Sequence, residues 1–285
     1  MNKKNLIPAF TVLLAGWWLA SCEPKQVVYT NNLWFDTITV TQTHYLKNDS
    51  TQPSCNLRIR LVYPANGDNA RSLKSLQKTF VAKFFGESYA GLDVRDAIAR
   101  YTANYISNYE KDAEIFFNDR EKNISEEGYP DDYFSYYETL SSDVTFNRAG
   151  LFAFCVQKTN FKADRTNSFR QISNYVYDLR TDCLLTEDSL FADGYEKILN
   201  IIFKAKLLEA NAVETVEQLE RLGYFGVDEL MPNGNFLVDE KGITYTFNKG
   251  EYSALLLDEI TIFIPKEELA PLLKENSPLS AIYTD

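Results

Sequence analysis

A single histidine, His44, occurs in 285 residues. That scarcity removes much familiar chemistry. A His-rich zinc centre, or a metal-dependent deacetylase needing several imidazoles, has no ligand set to draw on. A Ser-His-Asp or Cys-His arrangement would have to use His44. It lies among polar residues in TQTHYLKND and reads as an exposed, non-catalytic imidazole at a strand end. Glycine-rich phosphate loops, fixed-period repeats and low-complexity segments are also missing. Basic residues are in deficit: 29 Lys and Arg against 40 Asp and Glu give a net charge of −11. No Lys/Arg cluster stands out along the chain. This balance disfavours nucleic acid and anionic membrane surfaces as partners. Cysteine is scarce as well. Beyond Cys22 only Cys55, Cys155 and Cys183 remain, an odd number that leaves at least one unpaired. Cys155 and Cys183 sit in neighbouring strand-like runs and form the candidate disulfide. Three buried thiols acting as small apolar residues are the alternative. Nothing in the sequence calls for a cofactor or a metal.

What is present begins at the N-terminus. Lys3 and Lys4 precede an apolar run, Leu6–Ala20, shorter than the ~20 residues a membrane-spanning helix needs. A basic start, a short apolar core and small residues at its end read as a secretory signal. Leu19-Ala20-Ser21-Cys22 resembles the lipobox of bacterial lipoproteins. The resemblance implies cleavage before Cys22 and acylation of that cysteine, anchoring the chain to the inner or outer membrane of the cell envelope. Pro24 and the polar Lys25-Gln26 suit a tether.

The remaining chain is long enough for one large domain or two ordinary ones. Its 45% hydrophobic content excludes general disorder. LWFDTITVTQTHYL alternates with period two. In CNLRIRLVYP, Leu57, Ile59, Leu61 and Tyr63 alternate with Arg58 and Arg60, a half-buried strand. From Ala70 the period becomes helical, with Leu73, Leu76, Phe80, Val81 and Phe84 on one face and a stop at Gly86. Asp93 caps a second helix whose apolar face is Val94, Ile98, Tyr101, Tyr105, Ile106 and Tyr109. NDREKNISEEGYPDD reads as a charged loop. Three strand-like segments follow, the first two joined by a turn at Arg148-Ala149-Gly150. DGYEKILNIIFKAKLLEAN is a helix with Ile198, Ile201, Ile202, Ala205 and Leu208 on its apolar face. A shorter helix ends at Gly223, and two short strands, a strand at Ile260–Ile264 and a helix at Lys266–Lys274 complete the pattern. Strands and helices come in runs, so the class is α+β: mixed or antiparallel sheets packed against a few helices in two subdomains.

The order of features in the last third is distinctive. YDLRTDCLLTEDSLFADGYEKILNIIFKAKLL, NFLVDEKGITYTFNKGEY and ITIFIPKEELAPLL together resemble the DUF3298 envelope domain. That domain is usually preceded by DUF4163, the pair being called PdaC/RsiV-like. FNRAGLFAFCVQKTNF is similar to part of the preceding domain. Two departures stand out. FKADRTNSFRQISNY lacks the Gly-Gly and His of the family's Tyr-x-Gly-Gly-Ala-His loop, and no Pro follows Glu251-Tyr252. The resulting division is 1–22 signal peptide, 23–34 tether, 35–165 DUF4163-like subdomain, 166–278 DUF3298-like subdomain and 279–285 tail. One branch of the family is the extracytoplasmic part of an anti-sigma factor that binds lysozyme, and another accompanies a peptidoglycan deacetylase. The resemblance therefore implies recognition of peptidoglycan or of a basic cell-wall-active protein, without catalysis.

The candidate recognition surface combines the stripe Tyr101, Tyr105 and Tyr109 with Tyr129, Asp131, Asp132 and Tyr133, aromatics beside acids. Such rings stack on sugars or anchor interfaces, and the acids favour a basic partner. Core packing is the competing explanation of the stripe. Carboxylates are plentiful, but sequence neighbours such as Glu126-Glu127 and Glu267-Glu268 point apart on a strand or helix and read as a solvated acidic surface; the alternative function, a carboxylate-dependent glycan hydrolase, needs two facing carboxyls ~5–10 Å apart across a cleft.

Overall fold

The computed structural model describes residues 31–122, 134–162 and 168–283. Strands β1 (Leu33–Tyr45), β2 (Ser54–Gly67), β3 (Tyr136–Arg148), β4 (Leu151–Lys162), β5 (Phe169–Asp178) and β6 (Cys183–Leu184) form one sheet in chain order. All neighbours are antiparallel except β2 and β3. Helices α1 (Ala70–Phe85) and α2 (Val94–Lys122) make the crossover between those two parallel strands, as parallel pairing requires. A second, antiparallel sheet contains β7 (Phe236–Val238), β8 (Gly242–Phe247) and β9 (Ile260–Pro265). Around it lie α3 (Glu187–Leu190), α4 (Tyr195–Ala210), α5 (Val216–Leu222), α6 (Lys266–Leu269) and α7 (Ser280–Tyr283). The class is α+β. β5 and β6, which follow the division expected at 165/166, complete the first sheet.

Sequence chemistry accounts for the helix limits. The Asn69 side chain accepts from the backbone N–H groups of Arg71 and Ser72 at 3.1 and 3.2 Å, satisfying two donors of the first turn of α1. Asp93 does the same for Asp96 N at 2.9 Å. That bond holds the Asp93 carboxyl below its ordinary range. α2 continues to Lys122, into the stretch expected to be a charged loop. Ala149 and Gly150 both have positive φ, 54° and 80°, the backbone of a tight two-residue hairpin turn.

Two cores share β4. Phe152, Phe154 and Val156 face α1 and α2, with Leu57, Ile59, Leu61, Phe80 and Leu140. Leu151 and Ala153 face the second sheet and its helices. Every residue from Leu151 to Val156 is buried, which explains a strand that reads as a continuous apolar run. On α4 the buried residues are Leu199, Phe203 and Leu207, while Ile198 and Ile201 are exposed. The expected apolar face was rotated because that helix is apolar over most of its circumference. The expected Lys266–Lys274 helix is the single turn α6 followed by a 3₁₀ turn, Ala270–Leu272. Leu279, in the segment expected as a tail, is fully buried in the second core.

Asparagines join the parts. The Asn31 amide accepts from Gly150 N at 2.7 Å and donates to Leu151 O, gripping the β3–β4 hairpin. Asn235 and Asn248 cover the free edge of β5. Asn235 accepts from Asn174 N at 2.7 Å and donates to Ile172 O at 3.0 Å. Asn248 accepts from Ile172 N at 2.7 Å and donates to the same carbonyl at 3.0 Å. The unpaired edge of a strand is thereby sealed by side chains.

All three described cysteines are free, which corrects the candidate pairing. Cys155 lies opposite Asn174 and Cys183 opposite Asp178. Four residues of β5 separate those positions, ~13 Å along the strand. A disulfide needs Cα atoms ~5.5 Å apart.

Candidate functional site

The tyrosine stripe turns inward. Tyr109 is buried against Cys55 and Ala113 and meets the Tyr136 ring edge-on at 5.3 Å. Tyr105 donates to Asn56 O at 3.3 Å. Tyr101 packs on Phe85 and Tyr89 and donates to Glu138 Oε1. Lys158 Nζ lies 3.1 Å from Glu138 Oε2 and 3.0 Å from the Tyr101 hydroxyl. This cluster holds a buried carboxylate by a cation and a hydroxyl, which is how a charge survives beneath a helix. Burial, with the Glu138 charge, pushes the Tyr101 hydroxyl far above its ordinary pKa. The stripe therefore belongs to the sheet–helix core. Tyr129, Asp131, Asp132 and Tyr133, and the lipidation candidate Cys22, lie outside the described residues. His44 is not an open imidazole: its Nε2 is 2.9 Å from Glu110 Oε1 on α2, and its side chain is 16% exposed.

The face of the first sheet turned away from α1 and α2 is covered by the second unit from the β3–β4 hairpin along β4 and β5 as far as Cys155 and Asn174. Among the described residues, the rest of it is exposed or half-buried and mostly polar. Register places Thr39 and Thr41 beside Arg60 and Arg58, then Ser141 and Thr139, then Gln157 and Thr159, then Arg170. Tyr137 and Phe161 pair at one end, with rings parallel within 4° and centroids 4.7 Å apart. Arg60 is paired with Asp143 at 2.7 Å. Arg170 reaches Glu259 and Gln157, both at 3.1 Å. Arg58 is exposed and has no ion pair or hydrogen bond among the described residues. From β1 to β4 the face is ~14 Å wide. Among the described residues the two carboxylates that meet it, Asp143 on β3 and Glu259 from the second unit, are already paired, so the uncompensated charge of the described face is positive.

A second feature was not legible as a cluster. A groove of about 890 Å³ lies between α1, the end of β2 and the turn into α2, with Tyr63, Leu92 and the buried Val81 and Val94 along it. Arg71, Lys74, Lys78 and Arg95 line it. They are exposed, and none has an ion pair among the described residues. Three of them follow a helical spacing; the fourth arrives only through the packing of α2 on α1. The single carboxylate in the lining, Asp93, is engaged as the cap of α2. An adjoining cavity of about 370 Å³, which shares Ser75, Lys78 and Ala90 with the groove, also carries one carboxylate, Glu87, which Lys83 holds below its ordinary range at 2.8 Å. Neither brings two carboxyls face to face. Among the described residues no cluster of three or more His, Cys, Asp or Glu could hold a metal, and no helix is long and apolar enough to cross a membrane.

The second unit exposes an apolar patch. Leu255 is 69% and Leu256 97% exposed, with Leu222 and Phe225 also exposed. The two segments carrying them are tied together by Ala254 N donating to Gly223 O and Phe225 N to Tyr252 O.

Residues 188–267 match a family described as a protein of unknown function, DUF3298. A crystal structure of a DUF3298 family member from Bacteroides fragilis has 27% identity and a TM-score of 0.82, over 90% of this chain and 99% of that one. A DUF3298 family protein from Pseudomonas aeruginosa, 12% identical, superposes with a TM-score of 0.59 over 86% of this chain and 95% of that one; it shares the fold. No curated protein matches the sequence.

Proposed function

The chain belongs to the DUF3298 family through residues 188–267, and from that premise we propose that it is a non-catalytic, lipid-anchored envelope protein recognising peptidoglycan on its open sheet face. The observation that carries this reading is Arg58, exposed and without a partner among the described residues, on a polar face that ends in the Tyr137–Phe161 stack. Cell-wall glycan carries peptide carboxylates beside sugar rings. An arginine fork suits the former, and an aromatic edge with rows of threonine, serine and glutamine suits the latter. The face bears positive, not negative, uncompensated charge, which favours an acidic glycan over a basic protein there. Single carboxylates in the two cavities support binding over glycan hydrolysis.

The test is sedimentation with purified sacculi. The parent protein is expected to co-sediment, and Arg58→Ala with Tyr137→Ala to reduce retention about tenfold, the size of one lost charged hydrogen bond. Unchanged retention in that variant, or no retention of the parent, defeats the reading. The exposed Leu255–Leu256 patch favours a second one, a protein partner, since contiguous apolar surface marks such contacts. A lysozyme titration that responds to Leu255→Ser with Leu256→Ser would support it; no binding would remove it.

A further inference from the structure

Four cations converge on one groove in a chain of net charge −11. Solvated lysines are ordinary, but here Arg71, Lys74 and Lys78 share one face of α1 and Arg95 closes the same groove from α2. The carboxylates near it are fewer than the cations: Asp93, which caps α2 and is drawn to Arg95, Asp68, which accepts from the Asn32 side chain, and Glu87, which is paired with Lys83 and also attracts Lys78. The groove combines a cationic rim with an apolar lining, and its volume is that of a small-ligand site.

Its position suggests the occupant. β1 enters the fold at Leu33, opposite Gly67, three residues before α1 begins. A Cβ on Gly67 would lie within 4 Å of both Leu33 and Leu73, so the groove starts within about one helical turn of the entry point. Ten residues lie between Cys22 and Leu33, a reach of ~40 Å at most. If Cys22 carries the acyl anchor, this end of the molecule stays close to the bilayer.

We propose that the Arg71–Lys74–Lys78–Arg95 groove binds the phosphate of an anionic lipid headgroup in the membrane to which the N-terminus is anchored. This rests on the anchored reading for its geometry, not for its chemistry. The anchor supplies proximity, and the groove supplies local attraction. The distant acidic surface is screened beyond ~8–10 Å at physiological salt. A two-point attachment follows, which orients the open sheet face relative to the membrane.

The experiment uses the mature chain bearing Cys22→Ser, which leaves every described residue in place, and vesicles of either phosphatidylglycerol with phosphatidylcholine or phosphatidylcholine alone. Co-sedimentation is expected with the anionic vesicles only. Lys74→Gln with Lys78→Gln is expected to weaken it about 30-fold, from the contribution of each lysine near an anionic surface. Lys111→Gln, on the exposed part of α2, is the control and leaves binding unchanged. Binding equal for both vesicles, binding to neither, or binding indifferent to the double substitution overturns the proposal. So does a groove that holds glycerol 3-phosphate from solution as tightly as the vesicle, which would make the ligand a free phosphate. Mass spectrometry of Cys22 in cells is the separate arm. An unmodified cysteine together with anionic-vesicle binding would reject the anchor and leave the groove assigned.

Discussion

Replacing Asn235 by alanine should loosen the junction between the two sheets by a calculable amount. The side chain makes three bonds: it accepts from Asn174 N at 2.7 Å and donates to Ile172 O at 3.0 Å and Thr246 O at 2.9 Å. The two carbonyls are not orphaned by its loss. Ile172 O keeps the Asn248 amide at 3.0 Å, and Thr246 O keeps the Asn233 amide at 3.0 Å. Asn174 N–H has no such substitute, and the residue is 3% exposed. One buried, unpaired N–H costs ~1–3 kcal/mol, so Asn235→Ala should destabilise by about 2 kcal/mol. Urea denaturation reads the total. Native-state hydrogen exchange reads the position, and the Asn174 amide should exchange about 30-fold faster if local opening drops by that amount. Adding Asn248→Ala strips Ile172 O of both donors, so the double variant should lose more than the sum of the singles. A change below about 0.5 kcal/mol for Asn235→Ala, with unaltered Asn174 exchange, would refute the argument that these amides seal the strand edge.

Three further outcomes follow from named contacts. Burial raises the Cys55 thiol to about 11 and also raises Cys155, while Cys183 is exposed; alkylation of the native mature chain at pH 8 should modify Cys183 and spare the other two until denaturant is added, and Cys55 should gain reactivity only as pH rises toward 11. A methyl group on Gly242 would lie 2.0 Å from the Ile264 carbonyl oxygen, so Gly242→Ala must part β8 from β9 and should cost about 2–3 kcal/mol in thermal or urea unfolding. Tyr101→Phe removes a hydrogen bond to the buried Glu138 carboxylate and should cost about 2 kcal/mol; a double-mutant cycle with Lys158→Met should show coupling, and strict additivity would argue against a shared cluster.

Local pattern carried the architecture further than it carried the surfaces. The β2 alternation, the Asp93 cap and the Arg148-Ala149-Gly150 turn are short-range events, and each was readable from residues a few positions apart. The buried face of α4 was not, because a helix apolar almost all round leaves the choice to whatever packs on it. The same reason turned Tyr101, Tyr105 and Tyr109 from a candidate surface into core: the rings look alike in either role until Glu138 and Cys55 are known to lie beneath them. The cationic groove was invisible as a run of charge, since its members span α1 and the start of α2. Tyr137 and Phe161 gave no signal in sequence, being brought together only by the β3–β4 register.

The grip of Asn31 on the β3–β4 hairpin bears on how the molecule would respond to being tugged. A strain arriving through the N-terminal segment meets this side chain before it meets β1, and is passed into the most deeply enclosed strand. Behind it, β1 is matched to β2 along 13 positions, so the ladder is loaded lengthwise and its bonds must fail together instead of peeling one by one. Tension applied at the N-terminal end would thus reach the interior as a shared shear.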